Sequence, residues 1–136
     1  SARVLIADDD RDNADTLAAL MKGEGHEAMV ALRGDDALKM CRLFRPDVVI
    51  TDINLPGASG YAIARDLRER HGNLAPMLVA MTGVWTQESD RLLAQAVGFD
   101  HYLVKPYDLE RLLAAIRSFL AQSPATGSVS GTGELT

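Results

Sequence analysis

The sequence predicts an α/β fold: one domain built on a doubly wound, five-stranded parallel sheet with helices on both faces. Three observations predict it. Apolar runs and helical patterns alternate five times along the 136 residues. The first run, Val4-Leu5-Ile6-Ala7, is continuous rather than alternating, as in a strand buried on both faces. Strands separated by helices join in parallel through right-handed crossovers.

Each element has its own signal. After Val4–Ala7 an acidic cluster precedes Leu17, Leu20 and Met21 at helical spacing, and Gly23 and Gly25 stop that helix. Glu27–Leu32 reads as the second strand. Asp35 and Asp36 stand where helix caps are favoured, ahead of Leu38, Cys41 and Arg42. Pro46 breaks this helix before the third strand, Val48-Val49-Ile50. Gly60 to Arg70 reads as a helix with Ile63, Ala64 and Leu67 inward, closed by Gly72. Met77–Met81 is the fourth strand, Ser89–Val97 a helix ending at Gly98, and Tyr102-Leu103-Val104 a short fifth strand. Asp108 caps the last helix, whose Leu109, Leu112, Leu113, Ile116 and Leu120 mark one face. From Ser123 to Thr136, ten of fourteen residues are Ser, Thr, Gly or Pro, so residues 1–122 read as the domain and 123–136 as a flexible tail or linker.

Composition narrows the function classes. Fourteen Lys and Arg against nineteen Asp and Glu leave a formal charge of −5, which offers nucleic acid and anionic lipid no general attraction. No apolar stretch is long enough to span a bilayer, and no secretory signal opens the chain. The single cysteine, Cys41, forms no internal disulfide and suits a reducing cytoplasm. The start at Ser1 fits a processed chain or a piece of a longer one. His26, His71 and His101 lack ligand spacing and read as packing or surface residues, while Cys41, Met21, Met40, Met77 and Met81 read as core filler.

A doubly wound sheet binds its ligand at the carboxyl ends of the strands. Asp8-Asp9-Asp10 follow the first strand, Thr51-Asp52 and Ile53-Asn54-Leu55-Pro56-Gly57 the third, Thr82-Gly83 the fourth, and Lys105-Pro106 the fifth. These ends converge on one rim. Carboxylates crowded there raise one another's pKa until a cation neutralises them, and a hard divalent ion such as Mg²⁺ suits oxygen donors. A carboxylate can also attack a phosphoryl group to give an acyl phosphate, whose oxygens a metal, a lysine and a hydroxyl then neutralise.

Val4-Leu5-Ile6-Ala7-Asp8-Asp9-Asp10 resembles the opening of two-component response-regulator receiver domains. Asp52 with Pro56 and Gly60 resembles their phosphoacceptor segment, and Met81-Thr82-Gly83 and Val104-Lys105-Pro106 their two remaining signatures. The four motifs stand in order over residues 3 to 121. Thr82-Gly83 and Gly98-Phe99-Asp100 resemble, in style, receivers attached to hybrid histidine kinases.

The resemblance implies a flavodoxin-like sheet in the order 2-1-3-4-5. It implies that Asp52 accepts a phosphoryl group from a phosphohistidine on a histidine kinase or histidine phosphotransfer protein. Mg²⁺ would bind the side chains of Asp9 and Asp52 and the backbone carbonyl of Asn54, with Asp8 acting through water. Thr82 would bond a phosphoryl oxygen and shift inward, Lys105 would pair with the phosphoryl charge, and the Lys105–Pro106 peptide would be cis. Tyr102 matches an aromatic that swings between exposed and buried positions. The switched state would bind a downstream protein through the fourth helix, fifth strand and fifth helix, where a domain of this kind can also form a homodimer. The implied protein is a signalling switch in the cytoplasm rather than an enzyme, with at most slow self-dephosphorylation and no direct contact with nucleic acid or membrane.

Three rival readings fit the residues less well. A phosphohydrolase of the haloacid-dehalogenase type needs a second Asp two residues after the nucleophile as general acid, and Asn54 stands there instead. A flavodoxin-like nucleotide binder needs a first loop rich in Ser, Thr and Gly, which Asp8-Asp9-Asp10 is not. A degenerate receiver acting only as an interaction module would not need the complete acceptor set. There are also departures from the family pattern. Ala58-Ser59-Gly60 stands where many receivers have Met-Asp-Gly, and Gly83 where Ala is commoner. Trp85 follows the Thr82 loop, where exposure would let it report on the site.

Val84 stands two residues past Thr82, and its apolar side chain cannot orient a water for attack on a phosphoaspartate. Loss of the phosphoryl group is therefore expected to be slow. Val84→Glu should accelerate it, as followed by intact mass over time; an unchanged decay rate would remove this explanation.

Overall fold

A computed structural model describes residues 1–83 and 88–122. Val84 and Trp85 lie outside the described residues, as does the tail from Ser123. The elements are β1 (Arg3–Ala7), α1 (Arg11–Gly23), β2 (Glu27–Ala31), α2 (Gly34–Phe44), β3 (Val48–Asp52), α3 (Gly60–His71), a single 3₁₀ turn (Gly72–Leu74), β4 (Met77–Thr82), α4 (Glu88–Val97), β5 (His101–Val104) and α5 (Leu109–Gln122). The five strands form one parallel sheet, as the sequence predicts, in the order β2-β1-β3-β4-β5 that the resemblance implies.

The continuous apolar runs have the burial expected of central strands. Every residue of β3 and β4 is buried, and so are Val4–Ala7 of β1. Two cores result from the alternation of side chains across the sheet. Leu5, Val49 and Leu78 point to one face and pack with Ile63 and Leu67 of α3, Ala37 and Cys41 of α2 and Ala94 of α4. Val4, Ile6, Ile50 and Val79 point to the other and pack with Leu17 and Met21 of α1 and Leu112 and Ile116 of α5.

Local chemistry sets the boundaries. Asp10 caps α1, its carboxylate accepting from the backbone N–H groups of Asp12 and Asn13 at 3.1 and 3.2 Å. Ser59 caps α3 by accepting from Ala62 N at 3.2 Å, and Asp108 accepts from Glu110 N at 3.0 Å at the start of α5. Asp35 and Asp36 do not cap α2. Its N-cap is Arg33 without a side-chain bond, and both acids lie in the first turn, where they oppose the positive end of the helix dipole. The second strand ends at Ala31 rather than Leu32, because its partner, β1, ends opposite it at Ala7. The Lys105–Pro106 peptide is cis.

The entry to β5 is tied down from two sides. Arg68 of α3 donates through Nε and Nη2 to the carbonyl of Gly98, at 2.9 and 2.7 Å. Asp100 accepts from Leu78 N at 2.8 Å and receives Arg68 Nη2 at 3.1 Å. Gly98 sits at φ +115°, a conformation open to glycine, with Arg68 packed where a β-carbon would be. The strand that carries Lys105 is thus held against β4 at its start.

Leu78 is fully buried in the middle of β4. Leu78→Ala should cost about 2–5 kcal/mol, read as a lower denaturant midpoint at unchanged slope.

Candidate functional site

The strand register brings the predicted residues together. Ala7 lies opposite Thr51, Asp52 opposite Met81, and Thr82 opposite Val104. Adjacent parallel strands are about 4.8 Å apart, so Asp8, Asp52, Thr82 and Lys105 share one rim at the carboxyl end of the sheet.

Asp8 and Asp52 are buried, their side chains only 3% and 12% exposed. Lys105 reaches back from the end of β5 and stands between them. Its Nζ donates to Asp8 Oδ2 and to Asp52 Oδ2, each at 3.2 Å. The other Asp8 oxygen accepts from Asp10 N at 3.0 Å, which orients that carboxylate. Thr82 is buried at the end of β4, and its carbonyl accepts from Lys105 N at 2.8 Å, tying hydroxyl and ammonium to one rung. Gly60 packs on the carbonyl of Asp52, where a β-carbon would collide with it, so the segment after the acid can fold back closely. Asp9 and Asn54 are exposed, each on a loop that leaves the rim.

Oxygens of Asp8, Asp9 and Asp52 can all lie within 4.8 Å of one another. Burial raises the Asp52 carboxyl, and the Asp8 carboxylate raises it further; Lys105 pulls it back, and the balance is pushed up to about 7. Burial lowers the Lys105 ammonium, but the Asp52 and Asp8 carboxylates outweigh that and hold its pKa above the usual value. One ammonium therefore does not fully compensate the acids around it. An all-oxygen, charge-deficient donor set of this kind fits a hard divalent cation such as Mg²⁺.

Other predicted residues lie away from the rim. Tyr102 is partly buried on β5, with the Arg91 guanidinium 5.6 Å from its ring centre. His26 accepts from Ala2 N at its Nδ1 at 3.0 Å, a packing role. Asp10 is a helix cap, as described above. Cys41 is buried, which pushes its thiol up to about 12.

Sequence reasoning missed Tyr107. With Asp8, Asn13 and Lys105 it lines a cleft of about 460 Å³ beside α1. Burial raises its phenol; Lys105 pulls it down and the two acids push it up again. The only signal was its place two residues past Lys105, and a lone tyrosine there reads equally as core.

Comparison with known proteins agrees with this geometry. A family model for the response regulator receiver domain matches residues 4–117. Protein PilH of Pseudomonas aeruginosa is 35% identical over 121 residues, covering 88% of this chain and 98% of that protein. The BeF₃-activated N-terminal receiver domain of Klebsiella pneumoniae RstA superposes with a TM-score of 0.80 at 28% identity, over 88% of this chain and 99% of that one. The chemotaxis response regulator CheY4 of Vibrio cholerae gives 0.76 at 27% identity, over 87% and 98%.

The raised Asp52 pKa has a consequence for stability. In the unfolded chain the carboxyl titrates near 3.9, so folding opposes its ionisation; no penalty exists below about pH 4, and the full penalty is present above about pH 7. Asp52→Asn should therefore stabilise the metal-free protein by about 1–2 kcal/mol at pH 8, discounted for solvent and for the lost Lys105 pair, and should add nothing at pH 4. Chemical denaturation at the two pH values measures this; equal effects at both would contradict the assignment.

Proposed function

The chain belongs to the response-regulator receiver-domain family of two-component signalling, and on that premise we propose that Asp52 is its phosphoacceptor. The observation that carries the proposal is the Lys105 ammonium held 3.2 Å from both Asp8 and Asp52, with Thr82 at the end of the strand next to that of Asp52. Asp52 is the carboxylate of the group at the end of the central strand, and its attack needs the ionised form.

In this reading the donor is a phosphohistidine on a histidine kinase or histidine phosphotransfer protein. An Asp52 oxygen bonds to phosphorus as the P–N bond of the donor breaks, and the imidazole leaves with the electron pair. Lys105 exchanges its contact with the Asp52 carboxylate for one with a phosphoryl oxygen. Thr82 donates its hydroxyl to another. Asp9, Asp52 and the carbonyl of Asn54 would hold Mg²⁺, with Asp8 acting through water. When bound, the ion neutralises the acids and a phosphoryl oxygen. Asn54 is too weak an acid to protonate a leaving group, which favours a stored acyl phosphate over turnover.

The output follows from the same parts. Movement of Thr82 toward the phosphoryl group vacates space beside β4, Tyr102 of β5 turns toward it, and the surface of α4, β5 and α5 changes. Leu92 and Leu93 of α4, 56% and 49% exposed, give that surface apolar anchors for a protein partner or a second copy. Among the described residues no helix is long and apolar enough to cross a membrane, and a cytoplasmic location fits this role. Residues 1–122 form the receiver in this reading, and 123–136 a tail.

Incubation with Mg²⁺ and acetyl phosphate should add one phosphoryl group by intact mass. Asp52→Asn and a chelated sample should each abolish it. An adduct that persists in Asp52→Asn would place the acceptor elsewhere, and donor hydrolysis without any adduct would indicate a phosphohydrolase.

A further inference from the structure

A second cleft, of about 510 Å³, opens at the opposite end of the sheet from Asp52. It lies between the C-terminal ends of α2 and α3, beside Pro46 and Pro76 at the approaches to β3 and β4. Its volume falls within the range of small-molecule sites. Buried Cys41 and Leu67 supply an apolar floor, and Leu74, 88% exposed, stands at the rim.

The charge here opposes that of the molecule as a whole. Arg42, Arg45 and Arg70 line the cleft against one carboxylate, Asp66, a local formal charge of +2 on a chain of net charge −5. Asp66 is already engaged, its Oδ2 accepting from Arg70 Nε at 2.9 Å. Among the described residues, the guanidinium groups of Arg42 and Arg45 have no hydrogen bond or ion pair.

A plainer role exists for some of these cations. Arg42 and Arg70 lie in the last turns of their helices, where they offset the terminal carbonyls. Each helix end is worth roughly half an elementary charge, so the two ends leave about one positive charge uncompensated. Arg45 is the residue this leaves unexplained. It holds φ 53°, ψ 65° at the end of α2, a left-handed conformation that glycine or asparagine adopts more cheaply. A β-carbon is tolerated at that cost, and the side chain it carries lines the cleft.

We propose that this cleft is a binding site for a small organic phosphate, with the Arg42 and Arg45 guanidinium groups taking the phosphate and the Leu67–Leu74 wall taking the apolar body. Guanidinium forks match phosphate oxygens in pairs, which a lone ammonium does not. The same chemistry is offered by a free nucleotide and by a phospholipid headgroup. The site is independent of the acidic rim.

The test uses the full chain in chelator, which keeps metal-bridged anions off the rim. Guanosine 5′-monophosphate, inorganic phosphate and phosphatidylglycerol vesicles are titrated separately, with backbone amide resonances as the readout. Binding of the nucleotide or of the vesicles should shift Arg45, Asp47, His71 and Leu74, and inorganic phosphate should do so more weakly. Shifts with the nucleotide identify a soluble ligand; shifts with vesicles alone identify a headgroup. Arg45→Gly keeps the left-handed backbone and removes the guanidinium. It should weaken binding about tenfold while the thermal midpoint stays level or rises, and Arg42→Gln should weaken binding similarly. The proposal is overturned if no probe shifts these amides, if the shifts cluster at the Asp52 rim, or if Arg45→Gly binds as well as the parent.

Discussion

One ammonium among several carboxylates is the constraint on which the rest of this structure depends. Asp8 follows β1 and Asp52 ends the adjacent β3, so the parallel sheet itself brings them together. Among the described residues, Lys105, arriving from the end of the edge strand β5, stands between them. The fold therefore holds a charge imbalance in place by backbone geometry. Asp52 shows it directly, its carboxyl pushed up to about 7 by burial and by Asp8 in spite of Lys105. Such a site gains from any cation that relieves the crowding.

The scaffold makes that imbalance affordable. Buried apolar strands on both sides of Asp52, packed by helices on two faces, resist the repulsion at the rim. The clamp of Arg68 and Asp100 on Gly98 and Leu78 fixes the start of β5, and the Thr82 carbonyl receives Lys105 N at its end. Lys105 and Thr82 are thus linked through one backbone bond. Tyr102 lies two residues before Val104 on the same short strand.

The two ends of the sheet carry opposite charge. The carboxyl ends hold the acids, while the approaches to β3 and β4 lie beside a cleft lined by Arg42, Arg45 and Arg70. Both sites take their positions from the same strands, and each is built from residues just outside them, where the sheet's regularity ends and side chains are free to serve chemistry.

Much of this was legible in the sequence. The continuous apolar runs marked the buried strands because a parallel strand covered on both faces cannot alternate. Asp8, Asp52, Thr82 and Lys105 were recognisable because each directly follows or ends such a run, so their placement needed only the strand ends to align. The cap Asp108 was equally local, whereas Asp35 and Asp36 were misplaced by two or three residues because the loop packing that starts α2 at Gly34, with its N–H donating to Pro56 O, is a contact across the chain. The part of Tyr107 at the rim, the clamp on Gly98 and the cationic cleft were decided by tertiary structure alone. Each joins residues from separate elements, and no periodicity or spacing along a chain encodes which side chains meet when helices settle on a sheet. The same holds for the pKa of Asp52: the residue is written in the sequence, but its burial and its distance from Asp8 and Lys105 are properties of the fold.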